Sequence, residues 1–428
     1  MFILEENIMK LIDKAEKNQE KQTTDAWIRN GNGKIKPNSP TNVVLFLNDN
    51  QFLKDAIKLN AFTEEIETIA IREGPIDIQE GAFKEEYYTD IKMYAEEKLG
   101  VTFTQDALYQ GIEKVARSNQ YNPIMDYMNK AYDSWDKKKR LKSIFCDFLG
   151  AEENETTFLI TKIFFVGAVT KAYDPKFNFD YCLDLVGKQG VGKTLFFRRI
   201  APLGYYTDAF SSFSDKDDVA RMARNFIVND DEMTATKNTS LEELKKFISL
   251  IQIQYRPPYA RKDISKYKKF ILVRTTNVLC YLKDKTGDRR YLPIRCYLNP
   301  KMNVAEELTS ALVLQYWGEA VYWYKEKFKN LRLLNEKEKQ LLVNQREKFR
   351  FTDDVDDELY ELMNNKFKDQ EFIPSHDINE IINPRGYRRI FNRIKEIMTN
   401  DYGYRANVAK RVNGKAFKGY LKVQNKET

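Results

Sequence analysis

The 428-residue chain has one histidine, His376, and four cysteines. A single histidine excludes His-rich metal sites and argues against a His-based nucleophilic triad. Cys146, Cys182, Cys280 and Cys296 are widely separated and form no C-x-x-C pair. That excludes zinc ribbons and disulfide scaffolds, and the thiols read as reduced core residues. A polymerising primase would want a metal-binding aspartate pair and a zinc module, and neither is found. No apolar run approaches the ~20 residues that span a bilayer. The N-terminal "MFILEENIMKLIDKAEK" has no basic stretch ahead of an apolar core, so no signal peptide is read. The expectation is a soluble, cytoplasmic protein with no membrane partner. Internal repeats and long low-complexity segments are also lacking.

What is present is 42% hydrophobic and 13% aromatic residues, enough for packed cores in two or three domains. Net charge is +7. From Pro374 to Thr428 there are 12 Lys/Arg against 5 Asp/Glu, so 12 − 5 = +7 falls in this last block. A basic terminal block suggests a polyanionic partner.

Residues 18–40 are polar with Gly and Pro and read as exposed loop. From about 42 to 150 helical patterns dominate, with short strand signals at "NVVLFL" (43–47) and "IETIAIR" (66–72) and Gly100 as a C-cap. From about 155 to 300 short apolar runs alternate with helical ones: "YCLDLVG", "NFIVNDDEM", "KKFILVRTTN" and "RYLPIRC". Apolar runs ending in polar residues suit a buried parallel sheet with its site at the strand ends. A helical stretch at 304–331 and a charged linker, "NEKEKQLLVNQREKFRFTDDVDD", lead to the last module. The expected domains are an N-terminal module of unclear role (1–104), a helical collar-like region (105–170), an α/β core (171–335) and a basic C-terminal domain (350–428).

Four elements carry chemistry. "GKQGVGKT" matches G-x-x-x-x-G-K-T. Gly187, Gly190 and Gly192 let backbone amides wrap phosphate, and the following helix adds its positive end. Lys193 would reach the β- and γ-phosphates of ATP, and the Thr194 hydroxyl would ligate Mg²⁺. Next, "FIVNDDEM" is an apolar strand ending in carboxylates. Asp231 fits the Mg²⁺-bound position and Glu232 the residue that polarises attacking water, with Asp230 in place of Asp231 if the register shifts by one. In the third, "ILVRTTN", a strand delivers Asn277 beside the γ-phosphate. The fourth, "DKTGDRRYLPI", carries Arg289 and Arg290. An arginine here can point into a neighbouring subunit's site and stabilise transition-state charge.

These elements lie between 187 and 290, a compact set that resembles superfamily 3 helicases of the AAA+ class. "YRPPYARK" with "TTN…YLKDKTGDRRYLPI", and "NPIMDYMNKAYDSWDKKKRLKSIFCDFLGA" with Trp135 and Asp136 ahead of them, resemble the virulence-associated protein E family. The resemblance covers roughly residues 105–300. It implies a replication ATPase of phages and chromosomal islands, an AAA+ P-loop core in an α/β fold, and a homo-oligomeric ring, expected as a hexamer. Family members usually carry Glu where this chain has Asn229. Many relatives also bear an N-terminal primase, for which this chain is too short at that end and lacks the motifs.

In superfamily 3 rings a hairpin between the second and third elements enters the central channel. Ile251, Ile253 and Tyr255 alternate as a strand that Pro257 and Pro258 would break, with a second strand beginning near Phe270. Between them lie Arg256, Arg261, Lys262, Lys266, Lys268 and Lys269 among Tyr255, Tyr259 and Tyr267, a mixture suited to single-stranded DNA. Arg261 and Lys262 are expected at the tip. The C-terminal block reads as a winged helix: "DELYELMNNKF", then "HDINEIIN" capped by Ser375, then "GYRRIFNRIKEIMTN" carrying Arg388, Arg389, Asn392 and Arg393 on one face. Asn413-Gly414 is a hairpin signal, and Lys410, Arg411, Lys415 and Lys418 would decorate that wing. Duplex DNA is the expected partner, with the third helix in the major groove. The reading is an ATP-dependent replicative helicase or initiator, with host replication proteins as further partners. Its rival is a non-unwinding AAA+ adaptor that recruits another helicase.

Overall fold

The computed structural model describes residues 26–70, 74–255, 264–283, 288–327, 334–350, 354–368, 370–400, 402–412 and 415–423. Two compact units divide between Tyr127 and Met128.

In the first unit, helix α1 (Pro40–Asp49) replaces the strand expected at 43–47. The reason is local. Ser39 accepts from the Asn42 amide, and Pro40 stands at a first-turn position where its missing N–H costs nothing. Strands β1 (Ile57–Asn60), β2 (Glu65–Thr68) and β3 (Gly81–Ala82) form an antiparallel sheet. The mainly helical expectation missed most of it. Helices α2 (Glu86–Leu99) and α3 (Gln105–Ser118) complete the unit, and Gly100 ends α2 in the left-handed region as expected. Val43, Phe46, Leu47, Ile91, Leu108 and Ile112 lie in one core. Helix α4 (Pro123–Asp133) spans the division.

The second unit opens with α5 (Ile144–Leu149) and α6 (Glu155–Tyr173), the latter buried along most of its length. Strand β4 (Cys182–Val186) is buried at all five positions and runs into α7 (Lys193–Ile200). There follow β5 (Tyr206–Thr207), α8 (Lys216–Ala223), β6 (Ile227–Asp230), α9 (Thr234–Lys237) and α10 (Leu241–Ser249). Strands β7 (Gln252–Tyr255) and β8 (Ile264–Tyr267) pair antiparallel, and β9 (Ile271–Thr276) and β10 (Tyr291–Arg295) return to the sheet. The order β10-β4-β9-β6-β5 is parallel throughout. All four apolar runs read from the sequence are strands of this sheet. The two-residue β5 is too short to leave a run of its own.

Helix α11 (Val304–Glu307) packs on α7, and α12 (Ser310–Tyr322) packs on α6 and α7. The expected linker after Asn335 is instead helix α13 (Glu336–Glu347), started by a capping box of Asn335 and Glu338. Its charged surface hides a narrow buried stripe of Leu342, Gln345 and Arg346. Gln345 donates to Pro293 O at 3.0 Å, and Lys162 meets Glu338 at 2.6 Å.

The last module contains α14 (Asp354–Asn365), β11 (Phe372–Pro374), α15 (Ser375–Ile382), α16 (Arg388–Asn400), β12 (Tyr404–Val412) and β13 (Lys415–Lys422). Three helices pack on the antiparallel sheet β11-β13-β12 around Leu359, Ile378, Ile394, Met398 and Tyr420. Ser375 is the first residue of α15 rather than its cap, and its hydroxyl donates to Lys418 O at 3.0 Å, tying the helix to the hairpin. Cys146, Cys182 and Cys296 are buried free thiols, whereas Cys280 is exposed, against the expectation of a core position. No helix among the described residues is long and apolar enough to cross a membrane.

Candidate functional site

The loop from Gly187 to Gly192 leaves β4 at its C-terminal end. Its glycines are required by space and by backbone. A Cβ on Gly187 would stand 2.3 Å from Cys296 O, and Gly190 and Gly192 have φ of +87° and +92°. Lys193 Nζ donates to Gly187 O (2.7 Å), Lys188 O (3.0 Å) and Asn277 Oδ1 (2.9 Å). Burial pushes the Lys193 amine below its ordinary pKa, partly opposed by Cys296, Glu232 and Asp231. Asn277 Nδ2 in turn donates to Glu232 Oε1 at 2.9 Å.

A second chain of bonds runs beside the first. Thr194 Oγ1 donates to Asp231 Oδ1 at 2.6 Å, and Thr275 Oγ1 donates to the same oxygen at 2.7 Å. Thr275 Oγ1 also accepts from the Glu232 amide at 3.0 Å. The helix start after β4, the turn after β6 and the end of β9 are therefore joined at one end of the sheet.

Asp230 and Asp231 have different hydrogen-bond partners. Asp230 is 1% exposed and accepts from the Ala235 and Thr236 amides (2.8 and 2.9 Å) and the Thr236 hydroxyl. It is spent on starting α9, and burial raises its pKa despite those bonds. Asp231 is the carboxylate that faces Thr194. Immediately after it, Glu232 and Met233 hold φ of +52° and +53°, a left-handed pair without glycine. Each such residue costs about 1–3 kcal/mol, and strain of this kind gathers where a side chain must be aimed. Asn229 is fully buried and donates to the Tyr206 hydroxyl (3.0 Å) and Asp231 Oδ1 (3.3 Å). A glutamate there would set a second carboxylate against Asp231, whereas the amide supports it.

Arg289 and Arg290 sit on a short turn (Asp288–Arg290) ahead of β10. Tyr291, the first residue of β10, pairs with Cys182, the first residue of β4. The arginines thus stand at the end of the sheet opposite the Gly187–Gly192 loop, roughly 15–20 Å away at about 3.3 Å per residue. They are not brought to the Lys193 cluster of their own chain. Arg290 Nε donates to Ser249 Oγ at 2.8 Å. Arg289 is exposed and lines a cavity of about 540 Å³ with Phe177, Asn178, Asp180, Tyr181 and Ile251.

Of the residues expected to touch single-stranded DNA, Arg256, Arg261 and Lys262 lie outside the described residues, as do Pro257 and Pro258. Lys266 is half-buried opposite Ile253. The hairpin's return strand is β8 at 264–267, not the run near Phe270, which begins the core strand β9. In the last module Arg388, Arg389, Lys410, Arg411 and Lys415 are exposed, and Arg393 meets Glu396 at 3.1 Å. Val412 pairs with Lys415 around Asn413-Gly414, which lies outside the described residues.

One group escaped the motif search. Arg274 and Asp184 form a fully buried pair across β9 and β4, with Nε–Oδ1 at 2.8 Å and a second bond at 2.6 Å. The signal was one charge in the middle of each apolar run, opposite in sign. Lys268, expected among the cations that face single-stranded DNA, is instead 3% exposed.

Fold and site together define a mixed α/β protein whose glycine loop, two carboxylates and asparagine meet at one end of a five-stranded parallel sheet. The chain belongs to the virulence-associated protein E-like family, whose domain model matches residues 128–351, just over half its length. No curated protein matches it. Solved structures similar to it include the A form apo structure of the NrS-1 C-terminal region, at 13% identity over 90% of this chain and all of that one, with a TM-score of 0.48. A further apo structure of that region has 14% identity over 86% and 96% of the two chains, with a TM-score of 0.45.

Proposed function

We propose that this chain is an ATP-dependent replicative DNA helicase or replication initiator of a mobile element, built on an AAA+ core and working as a ring. One observation carries the reading. Lys193, Thr194, Asp231, Glu232 and Asn277 meet at one end of the sheet, while Arg289 and Arg290 stand at the other. A site that needs both halves is completed by a second copy.

In this reading Lys193 and the loop amides bind ATP phosphates, Glu232 orients the attacking water, and Asn277 holds Glu232 in place. The Thr194 hydroxyl and Asp231 carboxylate are hard oxygen donors already 2.6 Å apart, a set that suits Mg²⁺ with waters filling its other positions. When bound, the ion neutralises charge on the transferring phosphate.

The test is unwinding of a forked DNA duplex by the purified full chain with ATP and Mg²⁺. Strand separation by wild type, abolished by Lys193→Ala, supports a helicase. ATP hydrolysis without strand separation would favour the adaptor that recruits another motor.

The C-terminal module is proposed as a winged helix that grips duplex DNA through α16 and the β12–β13 hairpin. Arg388 and Arg389 are the exposed cations at the start of α16. Arg388→Ala with Arg389→Ala should reduce the slope of log affinity against log salt by about 2, the loss of two phosphate contacts. Fluorescence anisotropy with a duplex at several salt concentrations measures it, and an unchanged slope would remove α16 from the interface.

A further inference from the structure

Helix α16 turns Ile394, Ile397 and Met398 into the core of the last module. Its other side carries two aromatic rings. Tyr387 immediately precedes the first helical residue, and the Phe391 amide donates to Tyr387 O at 3.1 Å. The two residues therefore stand one helical turn apart on one face. Tyr387 is 53% exposed and Phe391 37%. A single exposed apolar side chain is ordinary on a protein surface. Two rings on successive turns of one helix, both turned away from its core, are not accounted for by packing.

The turn ahead of the helix is built to hold them. Asn383, a buried residue, ends α15. Its Oδ1 accepts from the Tyr387 amide at 2.8 Å, and its Nδ2 donates to Tyr387 O at 3.0 Å. Gly386, with φ of +69°, donates its amide to Asn383 O at 2.9 Å and closes the turn. A buried side chain thus fixes both backbone groups of a residue whose ring is exposed. Cations surround the rings in sequence: Arg385, Arg388, Arg389 and Lys395 are all exposed. Arg388 and Lys395 lie three before and four after Phe391, on the same side of the helix. The one carboxylate of α16, Glu396, meets Arg393 at 3.1 Å.

Aromatic rings interleaved with cations suit nucleic acid, since the cations meet phosphates while the rings stack on bases. In a closed duplex a base offers the groove only its edge. Its flat face becomes available for stacking once it is unpaired. An apolar protein surface would cover the rings but bring no anion to the cations beside them, whereas an unpaired strand brings a phosphate and a π-face with every nucleotide. We propose that Tyr387 and Phe391 form a stacking platform for unpaired bases, with Arg388 and Lys395 on the flanking phosphates. The inference rests on the reading that α16 meets DNA and goes beyond it. The module would tell opened duplex from closed duplex and hold the opened form.

The test compares two probes on the full chain without ATP: a closed duplex, and the same duplex with a central run of mismatched thymines. Wild type should bind the mismatched probe more tightly. Tyr387→Ala combined with Phe391→Ala should cut that preference by roughly 5- to 150-fold, the worth of one stacked base. The slope of log affinity against log salt should stay as in wild type, because neither ring neutralises a phosphate. That unchanged slope also shows that the module is still folded. Tyr387→Phe combined with Phe391→Tyr keeps both rings and should restore the preference. With 5-iodouracil in the mismatched run, photocrosslinks in wild type should map to residues 387–391.

Equal affinity of wild type for the two probes overturns the inference. So does a double alanine variant that keeps the preference, an outcome that leaves the rings to an apolar protein partner. So do crosslinks that fall wholly outside residues 387–391. Failure of the duplex reading looks different. There the Arg388→Ala, Arg389→Ala variant keeps its salt slope on closed duplex, while the loss of preference in the ring variant still decides this inference by itself.

Discussion

Subunits carrying Arg289→Ala should lose roughly 10³–10⁵ in ATP turnover, then regain part of it when mixed with inactive Glu232→Gln subunits. Each variant alone has a defect at every interface. In a mixture some interfaces join an intact Glu232 site to an intact Arg289. The expectation follows from the parallel register of β4 and β10, which sets the arginine turn and the glycine loop at opposite strand ends. It also separates the two arginines. Arg290 is tied to Ser249, whereas Arg289 is exposed beside the 540 Å³ cavity. Arg289→Ala should therefore show the larger loss, and Arg290→Ala a smaller one through misplacement of the turn. Steady-state hydrolysis across a titration of mixing ratios is the measurement. A curve that falls linearly between the two inactive endpoints, with no hump, would mean that the arginines do not act between subunits.

The parts of this arrangement legible in the sequence are those whose chemistry is local. A glycine loop between strand and helix, or carboxylates at the end of an apolar run, can be read from a dozen residues. The four apolar runs became four strands of one sheet for the same reason: burial on both faces leaves a continuous apolar signature. Pairwise facts are not local. Whether Asp230 or Asp231 faces Thr194 depends on how α9 begins, since the Ala235 and Thr236 amides claim one carboxylate. "NVVLFL" has strand composition, but Ser39 and Pro40 ahead of it start a helix that packs against α3, where Gly111 leaves room for Val43. Residues 336–347 look like a linker because most of that helix faces water, and three adjacent apolar residues among nine charged and polar ones leave little periodic trace. Lys268 is the hardest case. In sequence it is one of three near-adjacent lysines, and burial alone distinguishes it.

Arg274→Met should destabilise the second unit by about 3–5 kcal/mol, the cost of leaving one member of a buried pair without its partner. Asp184 would remain in a sheet interior with the Tyr281 hydroxyl as its main support. In the intact protein the guanidinium bonds both carboxylate oxygens, lies 4.3 Å from the Tyr291 ring, and reaches Thr236 Oγ1 at 3.3 Å. Thermal melting should fall by roughly 6–20 °C, at 2–4 °C per kcal/mol for a domain of this size. Asp184→Leu combined with Arg274→Met should recover more than half of that loss, because removing both charges removes the desolvation cost together with the attraction. A single variant that melts like wild type would mean that water reaches the pair. The pair also bears on the site. Asp184 and Arg274 are direct register partners of β4 and β9. A one-residue slip would turn each charge to the other face of the sheet. The register they share brings Gly187 N to Thr276 O at 3.1 Å, and so sets the start of the glycine loop against the strand that delivers Asn277. The double variant, though stable, should therefore bind ATP more weakly than wild type, since apolar packing holds β4 and β9 together without pinning that register.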